Sequence, residues 1–122
     1  MDASIQRLAI AETELEPWPI PSNQIEAGEP QARGAILSKS PDSRLASGVW
    51  ECTAGTFAWP YTWDETCCIV AGRATLRSAD GTTIDLGPGD ICSIRRGSEV
   101  TWNVHEPIRK GFCLFSPDGL PL

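Results

Sequence analysis

From Val49 to Phe115 the chain never runs far without a turn signal, and that spacing restricts what it can fold into. Short runs of β-branched, aromatic and cysteine residues alternate with Gly, Pro or Asp turn signals. Val49–Thr53 meets Ala54-Gly55, Phe57–Tyr61 contains Pro60, and Glu65–Val70 ends at Ala71-Gly72. Arg73–Arg77 runs into Asp80-Gly81, a strong hairpin signal, and Thr82–Leu86 meets Gly87-Pro88-Gly89-Asp90. Ile91–Ile94 ends at Arg96-Gly97, Val100–Val104 ends near Pro107, and Lys110–Phe115 closes the series. Turns this frequent leave no room for crossover helices, so the pattern predicts an all-β sandwich or barrel rather than a βαβ fold.

The N-terminal third reads differently. Ile5, Leu8 and Ala9 are spaced for a helical turn within residues 4–14. Three prolines within Pro17-Trp18-Pro19-Ile20-Pro21 exclude a helix interior or a central strand and predict an extended arm. Ala35–Ser38 is expected as an edge strand, ended by Ser40-Pro41-Asp42. At 122 residues one domain is expected over 1–122, with an arm and edge strands in 1–40 and the barrel core in 45–116.

Charge and composition exclude several functions. A net charge of −6 with a pI near 4.6 opposes a nucleic-acid partner, since the only basic clusters, Arg95-Arg96 and Arg109-Lys110, sit near Glu99 and Glu106. No apolar run approaches the roughly 20 residues of a membrane helix. Met1-Asp2-Ala3-Ser4 does not resemble the start of a secretory signal, so cytoplasmic residence is expected. Five cysteines without repeated spacing give no disulfide framework and no C-x-x-C motif. With His105 as the single histidine, the usual Cys/His zinc sets cannot be completed.

Two segments carry a resemblance. The first runs Gly55-Thr-Phe-Ala-Trp59-Pro-Tyr61-Thr-Trp63-Asp-Glu65 to Gly72, and the second runs from Gly81 through Gly87-Pro88-Gly89-Asp90 and Gly97 to Trp102. Together they resemble the two motifs of the cupin superfamily of small jelly-roll barrels. The match is nearest the single-domain branch similar to the cupin parts of ureidoglycine aminohydrolase and the ethanolamine-utilisation cupin. Gly48–Thr53, Trp63–Thr66 and Val104–Lys110 also resemble that branch, and the likeness spans roughly residues 16–116. In metal-binding cupins these motifs supply three histidines and a glutamate. Aligned here, Trp59, Tyr61 and Val100 stand at the histidine positions and Glu65 alone remains. One carboxylate cannot hold a transition metal, so no resident cofactor or metal is expected.

Strand alternation places Glu65, Cys67 and Ile69 on one face, Trp59 with Tyr61 on another, and Val100, Trp102 and Val104 in a row. Inside a barrel these side chains would form an aromatic pocket holding one carboxylate and one thiol, with Lys110 nearby. The expected ligand pocket is therefore Trp59, Tyr61, Glu65, Cys67, Val100, Trp102 and Lys110, with Glu65 as candidate acid or base. Such a pocket suits a small planar or cationic metabolite. The tryptophans also read as barrel filling, Glu65 as a carboxylate held by Tyr61 or Lys110, and Glu51 and His105 as a solvated strand residue and a loop residue. Two rival functions remain. One is an amidohydrolase- or isomerase-like enzyme recruiting a metal through Glu65 with Asp64, Cys67 or Cys68; the other is a non-catalytic interaction protein. A homodimer is expected from the resemblance, with the Pro-rich arm free to cross a neighbouring subunit.

Overall fold

Alternation along the strands is the simplest evidence of how the chain closes. In the computed structural model, which describes residues 3–122, β6 (Asp64–Ser78) buries Glu65, Cys67 and Ile69 while Asp64, Thr66 and Cys68 face outward. Met1 and Asp2, the first residues of the expected arm, lie outside the described residues. β9 (Glu99–Phe115) buries Val100, Trp102 and Val104 and then, beyond Pro107, Ile108, Lys110, Phe112 and Leu114. These two long strands pair antiparallel from Asp64↔Phe115 to Ser78↔Val100 and form the spine of the fold.

Around the spine the other strands are β1 (Glu16–Pro17), β2 (Ile25–Gly28), β3 (Ala32–Lys39), β4 (Leu45–Cys52), β5 (Gly55–Pro60), β7 (Thr83–Leu86) and β8 (Ile91–Ile94). The second half of β9 and the first half of β6 lie in the order β1-β3-β4-β9-β6-β8. The first half of β9 and the second half of β6 lie in the order β2-β5-β9-β6-β7. The two inner faces enclose a single core in which Trp50, Cys52 and Ile69 from one side meet Phe57, Leu76 and Trp102 from the other. Two antiparallel faces joined by shared bent strands form the jelly-roll barrel expected from the sequence.

The bend has a local cause. Register between β6 and β9 shifts three times between Ile69 and Ala74, and Gly72 sits among those shifts with φ +85°. A Cβ at Gly72 would lie 2.0 Å from the Pro107 carbonyl oxygen, so only glycine allows the strands to touch where they turn. Here the sequence reading is corrected. Ala71-Gly72 and the Pro107 region do not end strands; they are bulged corners within strands that continue on the other side.

The Asp80-Gly81 turn joins β6 to β7 as expected, with Asp80 Oδ1 accepting from the Thr82 amide at 2.9 Å. Two further expectations are revised, and a third takes a definite form. Residues 4–14 contain no helix, only a turn in which the Thr13 amide bonds the Ala9 carbonyl at 2.9 Å. Ala35–Ser38 forms the outer part of β3: among the described residues it pairs with β4 on one side only, and the two-residue β1 reaches no further than Arg33 and Gly34 on the other. His105 belongs to β9 rather than to a loop, and its Nε2 lies 2.8 Å from the Thr75 hydroxyl. The Pro-rich arm pairs with the chain's own β3, and Trp18 lies directly on Gly34, where a Cβ would fall 2.3 Å from its ring.

Candidate functional site

Glu65 and Lys110 come from opposite ends of the sequence reading and meet inside the barrel. Glu65 opens the inward face of β6, opposite Leu114 of β9 and Ile94 of β8. Lys110 lies on β9 between Trp50 of β4 and Ile69 of β6. Lys110 Nζ donates to Glu65 Oε2 at 2.5 Å, and both side chains are buried. The ammonium also lies 4.6 Å from the Trp50 ring centroid and 4.5 Å from that of Trp102. Those distances are within cation–π range, so the aromatic cage already holds a cation belonging to the protein. Burial alone would lower the Lys110 pKa, but the Glu65 charge, together with Cys67, the Glu65 hydrogen bond and Cys92, outweighs it and holds the ammonium above its usual range.

Aromatic packing fixes the cage. Phe57 and Trp102 stack at 6.3 Å with 2° between their planes, and Trp50 leans on both. Trp102 Nε1 donates to the Tyr61 hydroxyl at 3.0 Å. Tyr61 lies just beyond β5, held by backbone bonds to Ser98 and Gly97. Burial, and then the charge of Glu65, push the Tyr61 pKa far above the phenolic range, so the hydroxyl stays protonated. Asp64, on the outer side of β6, accepts from the Arg96 amide at 2.7 Å and pins the loop beside this end of the barrel.

These groups line a cavity of about 40 Å³. That volume accommodates a few heavy atoms, far below the roughly 300 Å³ at which drug-sized sites begin. All five tryptophans of the chain line it: Trp18, Trp50, Trp59, Trp63 and Trp102. Trp59 is half-buried, so the aromatic wall is partly open to solvent there. Trp63 is buried, and its Nε1–H is the one buried side-chain polar atom without a hydrogen-bond partner among the described residues. An orphaned indole N–H beside a cavity is a donor awaiting an acceptor.

Of the seven residues expected in the pocket, the structure gathers Trp59, Tyr61, Glu65, Trp102 and Lys110 around the cavity. Cys67 and Val100 are buried but do not line it. Cys67 lies one inward position further along β6 than Glu65, and Val100 pairs behind Trp59. Trp18, Trp50, Phe57, Trp63, Phe112 and Leu114 also line the cavity and were not in the expected pocket, Trp50 and Trp63 having been read only as barrel filling. An aromatic residue isolated among prolines was the available signal for Trp18, since a tryptophan in an arm needs a surface to cover.

A divalent ion does not fit these residues. Trp59, Tyr61 and Val100 offer no nitrogen donors where the histidines of metal-binding cupins are expected. Among the described residues no three His, Cys, Asp or Glu side chains converge, and Lys110 occupies one side of the Glu65 carboxylate.

Comparison with known proteins gives the same architecture. No curated protein matches the chain. A DUF861-family protein from Thermotoga maritima is 34% identical, covering 55% of this chain and 76% of that one, with a TM-score of 0.53. A DUF861-family protein of unknown function from Pseudomonas syringae superposes more extensively. Its TM-score is 0.76 at 24% identity, over 84% of this chain, which spans 44% of that protein. A putative ethanolamine utilization protein Q from Salmonella typhimurium is 22% identical over 70% of this chain and 69% of its own length, with a TM-score of 0.62. No helix among the described residues is long and apolar enough to cross a membrane. The family model for the EutQ-like cupin domain matches residues 39–112, from the end of β3 to Phe112 of β9, and the chain belongs to that family of small cupins.

Proposed function

We propose that this cupin binds a small neutral metabolite at the barrel mouth without a metal. The Lys110 ammonium would supply the positive charge beside Glu65. The observation that carries this reading is the buried Glu65–Lys110 pair beside an aromatic cavity that also contains an unpartnered indole N–H. Buried ion pairs with aromatic walls are difficult to explain by stability alone, because well-packed apolar residues usually do as well.

The chemistry narrows the ligand class. The cation-binding cage is already filled by Lys110, which disfavours the cationic ligand that aromatic walls alone would suggest. The ion pair is neutral overall, while the ammonium's remaining N–H bonds and the Trp63 N–H are donors. A compact neutral molecule presenting a carbonyl or amide oxygen meets both conditions. A larger metabolite would require the half-exposed Trp59 to swing aside. Acid–base chemistry through Glu65 is compatible with this site and belongs to the same proposal. Cytoplasmic residence and a homodimer are likewise proposals, the first supported by five free cysteines.

Because every tryptophan borders the cavity, intrinsic fluorescence reports directly on its occupancy. Titration with acetamide, acetate and methylammonium as probes should give millimolar binding strongest for acetamide and weakest for methylammonium. Glu65→Gln and Trp63→Phe should each weaken acetamide binding several-fold, and untagged protein should contain well below one equivalent of transition metal. Preference for methylammonium, or acetamide binding that both variants leave untouched, would sink the proposal.

A further inference from the structure

Five cysteines are distributed over the barrel, and their registers differ in a way that has chemical consequences. Cys52 faces Ala32 and Ile108 across its strand pairs, Cys68 faces Gly111 and Ile91, and Cys113 faces Thr66 and Ser47. Only Cys67 has a cysteine directly opposite: it pairs with Cys92 across the antiparallel β6–β8 ladder. Both side chains point inward and both are buried. Directly opposed residues in such a ladder have Cα atoms about 4.5–5.5 Å apart, inside the roughly 4.4–6.8 Å that a disulfide spans. No strand movement is needed to join them.

Access is also provided. A second cleft of about 260 Å³ lies between the β6–β7 hairpin and β8, and Cys92 lines it together with Ser78, Asp80, Ser93 and Ser98. Cys67 does not line that cleft, so the pair is reached from one side only. We propose that Cys67 and Cys92 form a reversible cross-strand disulfide, in which Cys92 reacts first with a peroxide entering this cleft and Cys67 resolves it.

The steps balance. The Cys92 thiolate sulfur attacks one peroxide oxygen and the O–O bond breaks. The departing hydroxide takes up the proton that Cys92 released and leaves as water, giving a sulfenic acid. Cys67 Sγ then attacks Cys92 Sγ, the S–S bond forms, and the S–O bond breaks. The second hydroxide takes the Cys67 proton, also leaving as water. Two thiols and one hydrogen peroxide become one disulfide and two waters, and a dithiol reductant reverses the change.

The electrostatics agree with this division of roles. Hydrogen bonding from Cys67 draws the Cys92 pKa below the usual thiol range, against the opposing effect of burial. The same hydrogen bond, and then burial, push Cys67 up. Attack requires a thiolate, and the leaving-site thiol responds once the sulfenic acid has formed beside it. The inference is independent of any ligand in the Glu65 cavity.

The test uses the full chain under native conditions. Hydrogen peroxide in a few-fold excess is followed by thiol blocking in denaturant and tryptic digestion without reduction. The expected product is the peptide 45–73 linked to 78–95, with fragmentation assigning Cys67 to Cys92 and two of the five thiols lost to blocking. Dithiothreitol should restore both. Cys68→Ser, on the exposed outer face, should leave the cross-link unchanged, and Cys92→Ser should abolish it. The wild-type assignment stands by itself if Cys92→Ser fails to fold. Five blocked thiols, a Cys92 sulfinic acid beside an intact Cys67 thiol, or oxidation confined to Cys68 and Cys113 would each overturn the proposal.

Discussion

Arg109 and Lys110 are neighbours on β9, each bonded to one glutamate, and they show how completely the side of a strand decides what an ion pair does. Arg109 faces outward. Its Nη1 lies 3.2 Å from Glu51 Oε2 on β4, with 17% and 30% of the two side chains exposed. Its other nitrogens donate to the carbonyls of Ile10 and Thr13, so this cation ties the N-terminal segment to the barrel. Lys110 faces inward and meets Glu65 at 2.5 Å, with 6% and 5% exposed. The outer pair remains partly hydrated and its attraction is correspondingly weak. The inner pair has lost its water, and the aromatic cage must replace hydration on the cation side.

The most forceful way to break this comparison is to remove one inner partner. Lys110→Met leaves the Glu65 carboxylate buried without a cation, and Glu65→Leu leaves the ammonium buried without its acceptor. Each should destabilise the protein by about 3–5 kcal/mol in urea denaturation, although the orphaned group can limit the loss by giving up its charge. The double variant removes both charges and fits an apolar core, so most of the lost stability should return. Single losses below about 1 kcal/mol would mean that the inner pair is as hydrated as the outer one.

A smaller effect should appear at high pH. Lys110 titrates above its ordinary 10.5 in the fold, Tyr61 well above 10.0, and burial pushes the Cys52 thiol from 9.0 to about 12. All three bind their protons more tightly folded than unfolded. Their contributions are therefore intact at neutral pH and are lost as pH climbs from about 9 through the raised folded values. The urea midpoint should hold steady to about pH 9 and then fall. The fall should be shallower in the Glu65→Leu/Lys110→Met double variant, because one of the titrating groups is gone. An unchanged slope would assign the alkaline loss to Tyr61, Cys52 and Cys67, the last of these also pushed up by its hydrogen bond to Cys92 and by burial.

How much of this was legible in the sequence depends on how local the information is. Inward alternation of Glu65, Cys67 and Ile69 is a property of one strand with period two, and it was read correctly from the residues. Asp80-Gly81 encodes its own turn and was equally plain. Gly72 was read as an end because a glycine closing an apolar run usually marks a turn. Only the pairing partner shows that the strand continues, and Pro107 lies 35 positions away in sequence. Lys110 was named as one possible partner of Glu65, but no periodicity links residues 45 positions apart, and only the pairing of β6 with β9 brings them together. That it fills the aromatic cage was not foreseen, and it changes the ligand class that the same aromatic residues suggest. Trp18 was hidden by the opposite problem. The prolines around it describe backbone freedom well and say nothing of the Gly34 surface on which its ring lies.

The smallest expected effect completes the comparison from its outer side. Glu51→Gln removes the charge opposite Arg109 but leaves the guanidinium bonded to the Ile10 and Thr13 carbonyls. The amide can still accept one hydrogen bond, and water reaches both groups. Stability should fall by about 0–1 kcal/mol, and the difference from wild type should shrink further as salt rises from 0.05 to 0.5 M, roughly halving the Debye length or more. The inner-pair difference should scarcely respond to the same salt, because mobile ions do not enter a cavity of about 40 Å³ lined by tryptophan. Equal salt sensitivity at both pairs would mean that solvent reaches Lys110, and the neutral-ligand argument at the barrel mouth would then lose its electrostatic basis.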